Sequence, residues 1–168
     1  MPDDLAPRPP AATAAPPAGP SAGTDWRTRG VRVVRPEQRS ADTPETLGMN
    51  RTAALSGGLT GATALWAGTN LIRPGEATGA HHHGPLESVI YVVRGRARMR
   101  WGERLEWVAE AGPGDFLQVA PWVPHQESNA GEDDLHCVLV RSGPEEVVVN
   151  LPDLVAVEEP TPVRWDRG

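Results

Sequence analysis

His81, His82 and His83 are consecutive, and a carboxylate follows at Glu87. On a β-strand, residues two apart point to the same face, so His81 and His83 would face one way and His82 the other. Two imidazoles on one face can bind one metal ion, and the turn at Gly84-Pro85 would let the Glu87 carboxylate swing onto that ion. Histidine with glutamate suits iron, manganese, nickel, copper or zinc. The alternative interpretation is a polar loop whose histidines share no role.

A second stretch, residues 112–129, predicts one more metal ligand. It reads GPGDFLQVAPWVPHQESN, with a tight turn at Gly114-Asp115, a short strand and then a bend rich in proline. Proline fixes its own backbone and restricts the residue before it, so the bend is stiff and determines where His125 points. A stiff loop that delivers one imidazole is what a further ligand of a preorganised site needs.

Both stretches resemble the motifs of the cupin superfamily. The first family motif, G(X)5HXH(X)3–4E(X)6G, is matched at Gly75, His81, His83, Glu87 and, one residue later than usual, Gly95. The second motif, G(X)5PXG(X)2H(X)3N, is matched at Gly114, His125 and Asn129, with Ala120 and Trp122 replacing the usual proline and glycine. The two replacements reshape the bend and spare the histidine.

The resemblance implies a fold and a site. The fold is an all-β, single-domain cupin, a double-stranded β-helix or jelly-roll barrel, and the matching region is about residues 60–142. The site is one divalent transition-metal ion per chain, Fe, Mn, Ni or Zn, and its implied ligands are His81, His83, Glu87 and His125. The resemblance also implies a small-molecule ligand or substrate and a homodimer.

The rest of the chain agrees with an all-β fold. Short apolar or alternating segments separated by glycine and proline are typical of sandwiches and barrels. The predicted strands are 63–72, 88–94, 96–101, 105–110, 115–119, 125–129, 136–141 and 146–150, with another candidate at 31–35. No helix longer than two turns is expected.

Side chains near the predicted ligands suggest a pocket. Counting by twos from Glu87 places Tyr91 on the ligand face, and the alternation of residues 96–101 turns Met99 inward and three arginines outward. Trp66 could line the same pocket, Gln118 could tune the metal, and His136 could reach it; Cys137 is expected to be a buried small residue. For each of these the alternative is a plain core or surface position.

The chain is expected to have four parts. Residues 1–24 contain seven prolines and seven alanines, a composition that cannot bury enough apolar area to become ordered, so this part is predicted to be a disordered tail. Residues 25–58 are predicted to be an N-terminal arm, 59–150 the barrel and 151–168 a C-terminal extension.

Composition excludes several classes of function. The net charge is −6, which argues against nonspecific nucleic-acid binding. All 16 cationic side chains are arginine, which excludes a lysine Schiff base and a P-loop lysine. The single cysteine excludes an internal disulfide. No apolar run long enough to span a membrane and no signal peptide are found, so a cytoplasmic protein is expected.

Two functions are compatible with the predicted site. The first is a metal-dependent enzyme acting on a small organic molecule, most simply an Fe(II)-dependent oxygenase, with a non-redox isomerase or lyase as a variant. The second is a non-catalytic cupin that binds a metal and a small ligand or acts as a sensor.

Overall fold

The computed structural model describes residues 23, 25–43 and 48–165. The chain divides into two compact units, residues 1–33 and 34–168. Within the first unit, the described part contains one short helix, α1 (Trp26–Arg29), whose N-terminus is capped by the side chain of Asp25 accepting from the backbone N–H of Arg27. Apart from Gly23, the predicted tail 1–24 lies outside the described residues.

The second unit consists mostly of short strands. One helical turn, α2 (Gly57–Thr60), lies between the first two strands, and a short 3-10 turn at Pro36–Gln38 precedes them. The strands are β1 (Asn50–Leu55), β2 (Leu65–Ile72), β3 (His81–His82), β4 (Ser88–Arg94), β5 (Ala97–Trp101), β6 (Trp107–Ala111), β7 (Phe116–Val119), β8 (His125–Asn129), β9 (Leu135–Ser142), β10 (Val149–Asn150) and β11 (Thr161–Pro162).

The strands form two sheets. The five-stranded sheet has the order β1-β2-β9-β4-β7, and the six-stranded sheet has the order β10-β3-β8-β5-β6-β11. Neighbouring strands are antiparallel except β11, which pairs with β6 in parallel. Because sequential strands such as β4 and β5 belong to different sheets, the connections cross repeatedly from one layer to the other.

The core lies between the inward faces of the two sheets. Burial alternates along β2, where even-numbered positions from Trp66 to Ile72 are buried, and along β9, where odd-numbered positions from Leu135 to Arg141 are buried. Ile90 of one sheet and Met99 of the other belong to one hydrophobic cluster. The apolar period of two in the sequence therefore decides which side chains fill the interior.

The all-β prediction is confirmed. Strands β4 and β8 have the predicted bounds, and most others differ by one or two residues at their ends, as hydrogen-bond assignments of strand ends do. One prediction is wrong: residues 31–35 form no strand. Strands β1, β3 and β11 are absent from the predicted set. The described helices have four residues each, in line with the expectation that no long helix occurs.

Among the described residues, the structure contains no helix of the length and apolarity that crossing a membrane requires.

Segments on both sides of the predicted barrel join the sheets. Strand β1, from the predicted arm, forms one edge of the five-stranded sheet, and Ser40 forms a bridge with Ala53 of this strand. At the other end, the backbone N–H groups of Val157, Thr161 and Val163 donate to carbonyls of Arg104, Glu106 and Val108, respectively. The extension therefore follows β6.

Candidate metal centre

Three histidines meet in the interior of the second unit. His81 lies on β3 and His125 on β8, where they are direct partners in the antiparallel register, and His83 follows β3 immediately. The three side chains are buried, and each offers a ring nitrogen that lies within 4.8 Å of those of the other two. The structure thus brings together His81, His83 and His125, as the alternation of His81 and His83 and the stiff bend before His125 predict.

Each of the three imidazoles is fixed by a backbone carbonyl. His81 Nδ1 is 2.9 Å from the oxygen of Gly79, His83 Nδ1 is 2.8 Å from that of Val147, and His125 Nδ1 is 2.9 Å from that of Val123. A carbonyl oxygen can only accept, so each Nδ1 carries the proton and donates it. The remaining nitrogen, Nε2, is therefore unprotonated and carries a lone pair, as in metal-ligating histidines whose other nitrogen donates to a carbonyl.

The Nε2 atoms have the surroundings of a metal site. Those of His81 and His125 are buried and have no hydrogen-bond partner. Two buried acceptors without donors are costly unless a ligand satisfies them. The donor set of three imidazole nitrogens suits a divalent transition-metal ion. The residues therefore fit the metal that the sequence motifs imply.

Burial keeps these imidazoles neutral. The pKa of His81 is lowered to about 3, that of His83 to about 2 and that of His125 to about 4. The main cause in all three is removal from water, which disfavours the charged form. Nearby charge adds to it: the Arg141 guanidinium lowers the pKa of all three, and for His83 it is the second largest cause after burial. Metal binding needs neutral imidazole, so the site is ready for it without first losing protons.

Glu87, the fourth predicted ligand, lies elsewhere in this structure. It is exposed, and its carboxylate accepts a hydrogen bond from Gln118 on β7. The physical reason is strand alternation: β4 begins at Ser88, which is buried, so the preceding residue points outward. The described residues contain no carboxylate that joins the three-histidine group.

A buried pair of arginines stands beside the histidines. Arg141 Nη2 lies 3.1 Å from His83 Nε2 and donates to it. Arg141 also donates to the carboxylate of Glu146 at 3.0 Å, and the same Glu146 oxygen accepts from Arg51. Both arginine side chains are 2% exposed and that of Glu146 is 7% exposed, so one carboxylate serves two buried cations.

Arg141 is held by aromatic packing as well as by this ion pair. Its guanidinium lies 5.0 Å from the ring centre of Trp66, in the geometry of a cation–π contact. Burial and the neighbouring Arg51 lower the pKa of Arg141 to about 10, which leaves it charged at neutral pH. Arg141 Nε is buried and has no hydrogen-bond partner.

A buried carboxyl group, Glu127, lies on β8 two residues after His125. Its oxygen accepts from Asn70 Nδ2 at 3.1 Å, and its backbone N–H donates to Thr78. Burial raises the pKa of Glu127, while Arg51 and Arg141 oppose the shift. Asn70 Oδ1 has no partner, so this pair offers one further polar group to the interior.

A cavity of about 570 Å³ opens beside the histidine cluster. Its wall includes His125, Met99 and Gln118, of which the last two were predicted pocket residues. Most of the remaining lining is apolar, and Trp165 of the C-terminal extension stacks on Trp101 with ring centres 6.0 Å apart. A cleft of this volume accommodates a small organic ligand.

The other predicted pocket residues lie away from this cavity. Tyr91 points to the outer face of the five-stranded sheet, where its ring lies 4.8 Å from that of Phe116. His136 is exposed on β9, because the inward positions of that strand are the odd-numbered ones. Trp66, a predicted pocket residue, is buried under Arg141 and does not line the cavity. Cys137 is buried, and burial raises the pKa of its thiol to about 12.

Sequence reasoning missed the two buried arginines. Arg141 could have been found, because Cys137, Leu139 and Arg141 fall on one face of β9 and an arginine on an apolar face is unusual. Arg51 carried no such signal, because the strand on which it lies was itself not predicted.

Comparisons with known proteins agree with this geometry. Residues 70–141 match the family model of the cupin domain. No curated protein matches the chain in sequence.

Solved structures share the fold. An oxalate decarboxylase from Lactobacillus farciminis in complex with formate has 19% identity and a TM-score of 0.56, over 64% of this chain and 32% of the other. A mutant of Bacillus subtilis oxalate decarboxylase has 19% identity and a TM-score of 0.57, over 66% and 30%. A further structure of the Bacillus subtilis enzyme, from work on its Mn(II) centres, has 20% identity and a TM-score of 0.57, over 65% and 29%. The matched part is thus about a third of the length of these enzymes.

Proposed function

We propose that this chain, whose residues 70–141 match the family model of the cupin domain, is a metal-dependent enzyme acting on a small organic molecule. The proposed ligands of one divalent transition-metal ion are His81, His83 and His125. The observation that carries the proposal is the tautomer of the three imidazoles: each Nδ1–H is tied to a carbonyl, so each Nε2 is unprotonated. The Nε2 atoms of His81 and His125 have no hydrogen-bond partner, and that of His83 accepts from Arg141.

The number of ligands favours an open site. Three protein donors leave about three positions of a six-coordinate ion such as Fe(II), Mn(II) or Ni(II), and one position of a tetrahedral Zn(II). When bound, such an ion supplies a Lewis acid that polarises a coordinated group or activates a coordinated water. Mn(II) gains support from the Bacillus subtilis enzyme with the same fold, which has Mn(II) centres. The simplest redox reaction for the site is that of an Fe(II)-dependent oxygenase, and a non-redox isomerase or lyase uses the same ligands.

The protein side chains would do three things in such a reaction. The imidazoles hold the ion in fixed positions, because their rings are tied to the backbone. Trp66 and the apolar core keep bulk water from the buried face of Arg141. Arg141 places a positive charge 3.1 Å from His83 Nε2, where it can stabilise negative charge on a bound molecule.

The second candidate function is a non-catalytic cupin that binds a metal and a small ligand. One observation favours it. Among the described residues, the two buried carboxyl groups beside the site are already engaged: Glu146 by two arginines and Glu127 by Asn70. Neither is placed as a free general base.

Metal analysis of the purified protein tests the site. Protein prepared without chelator or nickel resin should contain about one transition-metal ion per chain, and His81→Ala should lose it. His136→Ala is the matched control, because His136 is exposed on the outer face of its strand. Equal metal content in both variants, or no metal in the parent protein, would refute the proposal.

A spectroscopic measurement tests whether the site has the open coordination positions that the oxygenase needs. The protein is loaded with Fe(II) under anaerobic conditions, nitric oxide is added as a mimic of dioxygen, and the EPR spectrum is recorded. An iron–nitrosyl signal supports the oxygenase, because it requires open coordination positions. If one equivalent of iron is bound and no such signal forms, the binder or a non-redox enzyme is favoured.

A further inference from the structure

A bound metal ion would leave the site with an excess of buried positive charge. The buried cations Arg51 and Arg141 both pair with the carboxylate of Glu146, burial raises the pKa of the nearby Glu127 carboxyl, and the three imidazoles are neutral donors. A divalent ion would add two more positive charges, and Glu87, the one carboxylate expected to offset them, lies on the outer surface. Uncompensated charge in a dry interior is costly. An anion bound at the site would reduce that cost.

Arg141 is placed to receive such an anion. Its Nη2 donates to His83 Nε2, the atom whose lone pair a metal would take, and its buried Nε has no partner. Metal binding at His83 would therefore leave two N–H groups of one guanidinium without acceptors. Guanidinium N–H groups form a planar fork that matches the two oxygens of a carboxylate.

The cavity beside His125 is apolar. The cavity that includes His125 is lined mainly by Met99, Trp101, Leu117, Val119, Val123 and Trp165. Its two acidic lining residues are engaged elsewhere: Glu110 pairs with Arg98, and Asp115 accepts from the backbone N–H of Gly112. The cluster thus has a guanidinium on its His83 side and an apolar cavity on its His125 side.

We propose that the ligand of this site is a small monocarboxylic acid with an apolar body. Its carboxylate would bind the metal ion and accept hydrogen bonds from Arg141. Its apolar body would fill the cavity that Trp165 helps to line. This inference rests on the proposed metal site and adds the chemical class of the molecule bound there. A dicarboxylate as short as oxalate would leave the apolar cavity empty.

Cobalt provides a direct readout of binding. Protein loaded with one equivalent of Co(II) is titrated with acetate, hexanoate or hexanamide at constant ionic strength, and the visible Co(II) spectrum is followed. Hexanoate should bind at least about 10-fold more tightly than acetate, because it has four more methylenes and full burial of one favours binding by about 4-fold, so burial of two is enough. Hexanamide has the same body without the charge and should cause no saturable change below concentrations about 10-fold higher.

Three variants assign the contacts. Arg141→Gln should weaken binding of both acids by about 10- to 100-fold, the usual value of a charge-assisted contact. Trp165→Ala should weaken hexanoate and leave acetate unchanged. Arg94→Gln is the control, because the Arg94 side chain is exposed and pairs with Asp133, and neither residue lines the cavity. Should Arg141→Gln fail to fold, Arg141→Lys retains the charge without the planar fork and should still weaken acetate binding.

The outcomes distinguish this inference from the metal site itself. If Co(II) does not bind at one equivalent, both proposals fail. If Co(II) binds and acetate gives no saturable change, or if hexanamide binds as well as hexanoate, the metal site stands. The claim that the ligand binds through a carboxylate group then fails. If acetate and hexanoate bind equally, the claim that an apolar part of the ligand fills the cavity fails. Unchanged affinity in Arg141→Gln or Arg141→Lys would remove the role of the guanidinium.

Discussion

At the scale of single residues, the three imidazoles differ from ordinary histidines in that folding lowers their pKa values to about 2 to 4. The native protein without metal therefore takes up no proton there near pH 6, whereas the unfolded chain does so below about 6.5. Each such group leaves stability unchanged above pH 6.5 and reduces it as the pH falls below that value. The buried carboxyl of Glu127 acts in the opposite direction, since its pKa is raised.

We expect the metal-free protein to lose stability steeply between pH 7 and pH 5. Three histidines together would lower the free energy of unfolding by up to about 4 kcal/mol per pH unit below 6.5. Urea unfolding of chelator-treated protein at several pH values measures this slope. His81→Gln should reduce the slope by about a third, and His136→Gln should leave it unchanged. A flat profile from pH 7 to pH 5 would contradict the prediction.

The carboxylate of Glu146 balances two buried cations, and its removal should be costly. Glu146→Gln leaves Arg51 and Arg141 without their shared anion, and breaking a buried ion pair from one side usually costs about 3 kcal/mol or more. The free energy of unfolding in urea measures the loss. Glu145→Gln is the matched control, because the neighbouring Glu145 is exposed. Equal stability of the two variants would show that the buried pair is not essential.

The motif and the structure disagree about the role of Glu87. The motif makes it a ligand, whereas here its carboxylate is exposed and bound to Gln118. From the structure we expect Glu87→Gln to retain about one metal ion per chain, measured by elemental analysis beside the parent protein and His81→Ala. Loss of metal in Glu87→Gln to the level of His81→Ala would mean that Glu87 moves inward when the ion binds.

At the scale of elements, the late closing glycine of the first motif has a structural cause. The register of β4 against β9 shifts between Val92 and Arg94, so two steps along β4 match one along β9. This is a bulge with one extra residue, and it accounts for the extra position before Gly95. Trp122, which replaces the usual glycine of the second motif, keeps a positive φ of 66°, so the bend before His125 retains its backbone form.

Two motif glycines allow the cost of backbone strain to be separated from the cost of steric crowding. Gly95 and Gly114 both have positive φ, 87° and 94°, so alanine at either should cost roughly 1 kcal/mol or more from the backbone alone. At Gly95 a Cβ would also lie 2.8 Å from backbone atoms of Asp134 and Leu135, whereas Gly114 has open space around it. Gly95→Ala should therefore destabilise the protein clearly more than Gly114→Ala, as measured by thermal or urea unfolding. Equal losses of stability in the two variants would contradict the expected steric crowding at Gly95.

Much of the strand pattern was predictable, and the failures have local causes. The period of two identified β4, β5 and β8 and placed Met99 inside. The same rule correctly placed Tyr91 on the face of Glu87, but Glu87 points outward, so Tyr91 lies on the outer face and not in the pocket. Strand β1 carries arginine and asparagine among small residues, so its apolar signal is weak. The meeting of Arg51, Arg141 and Glu146 depends on contacts between residues up to 95 positions apart, which no local pattern reports.

At the scale of the whole molecule, the outer face of the five-stranded sheet is unusually apolar. The outward residues of β4 are Val89, Tyr91 and Val93, and those of β9 include Val138 and Val140. Leu65 and Phe116 on the same sheet are 50% and 70% exposed. The outward positions of β2, β4, β7 and β9 carry no arginine, aspartate or glutamate between the strand ends. A large exposed apolar patch of this kind is typical of an interaction surface.

The face suits a second copy of the same chain. A two-fold dimer places identical patches against each other, and the lack of charge on these strands avoids repulsion between copies. We expect sedimentation to give a homodimer and Val140→Glu to shift it to monomer, because two carboxylates would then be buried near the dimer axis without partners. Glu110→Gln, on the other sheet, is the control. The His125 environment lies on the inward side, so the monomer should still bind metal. A monomeric parent protein would refute the dimer without affecting the metal site.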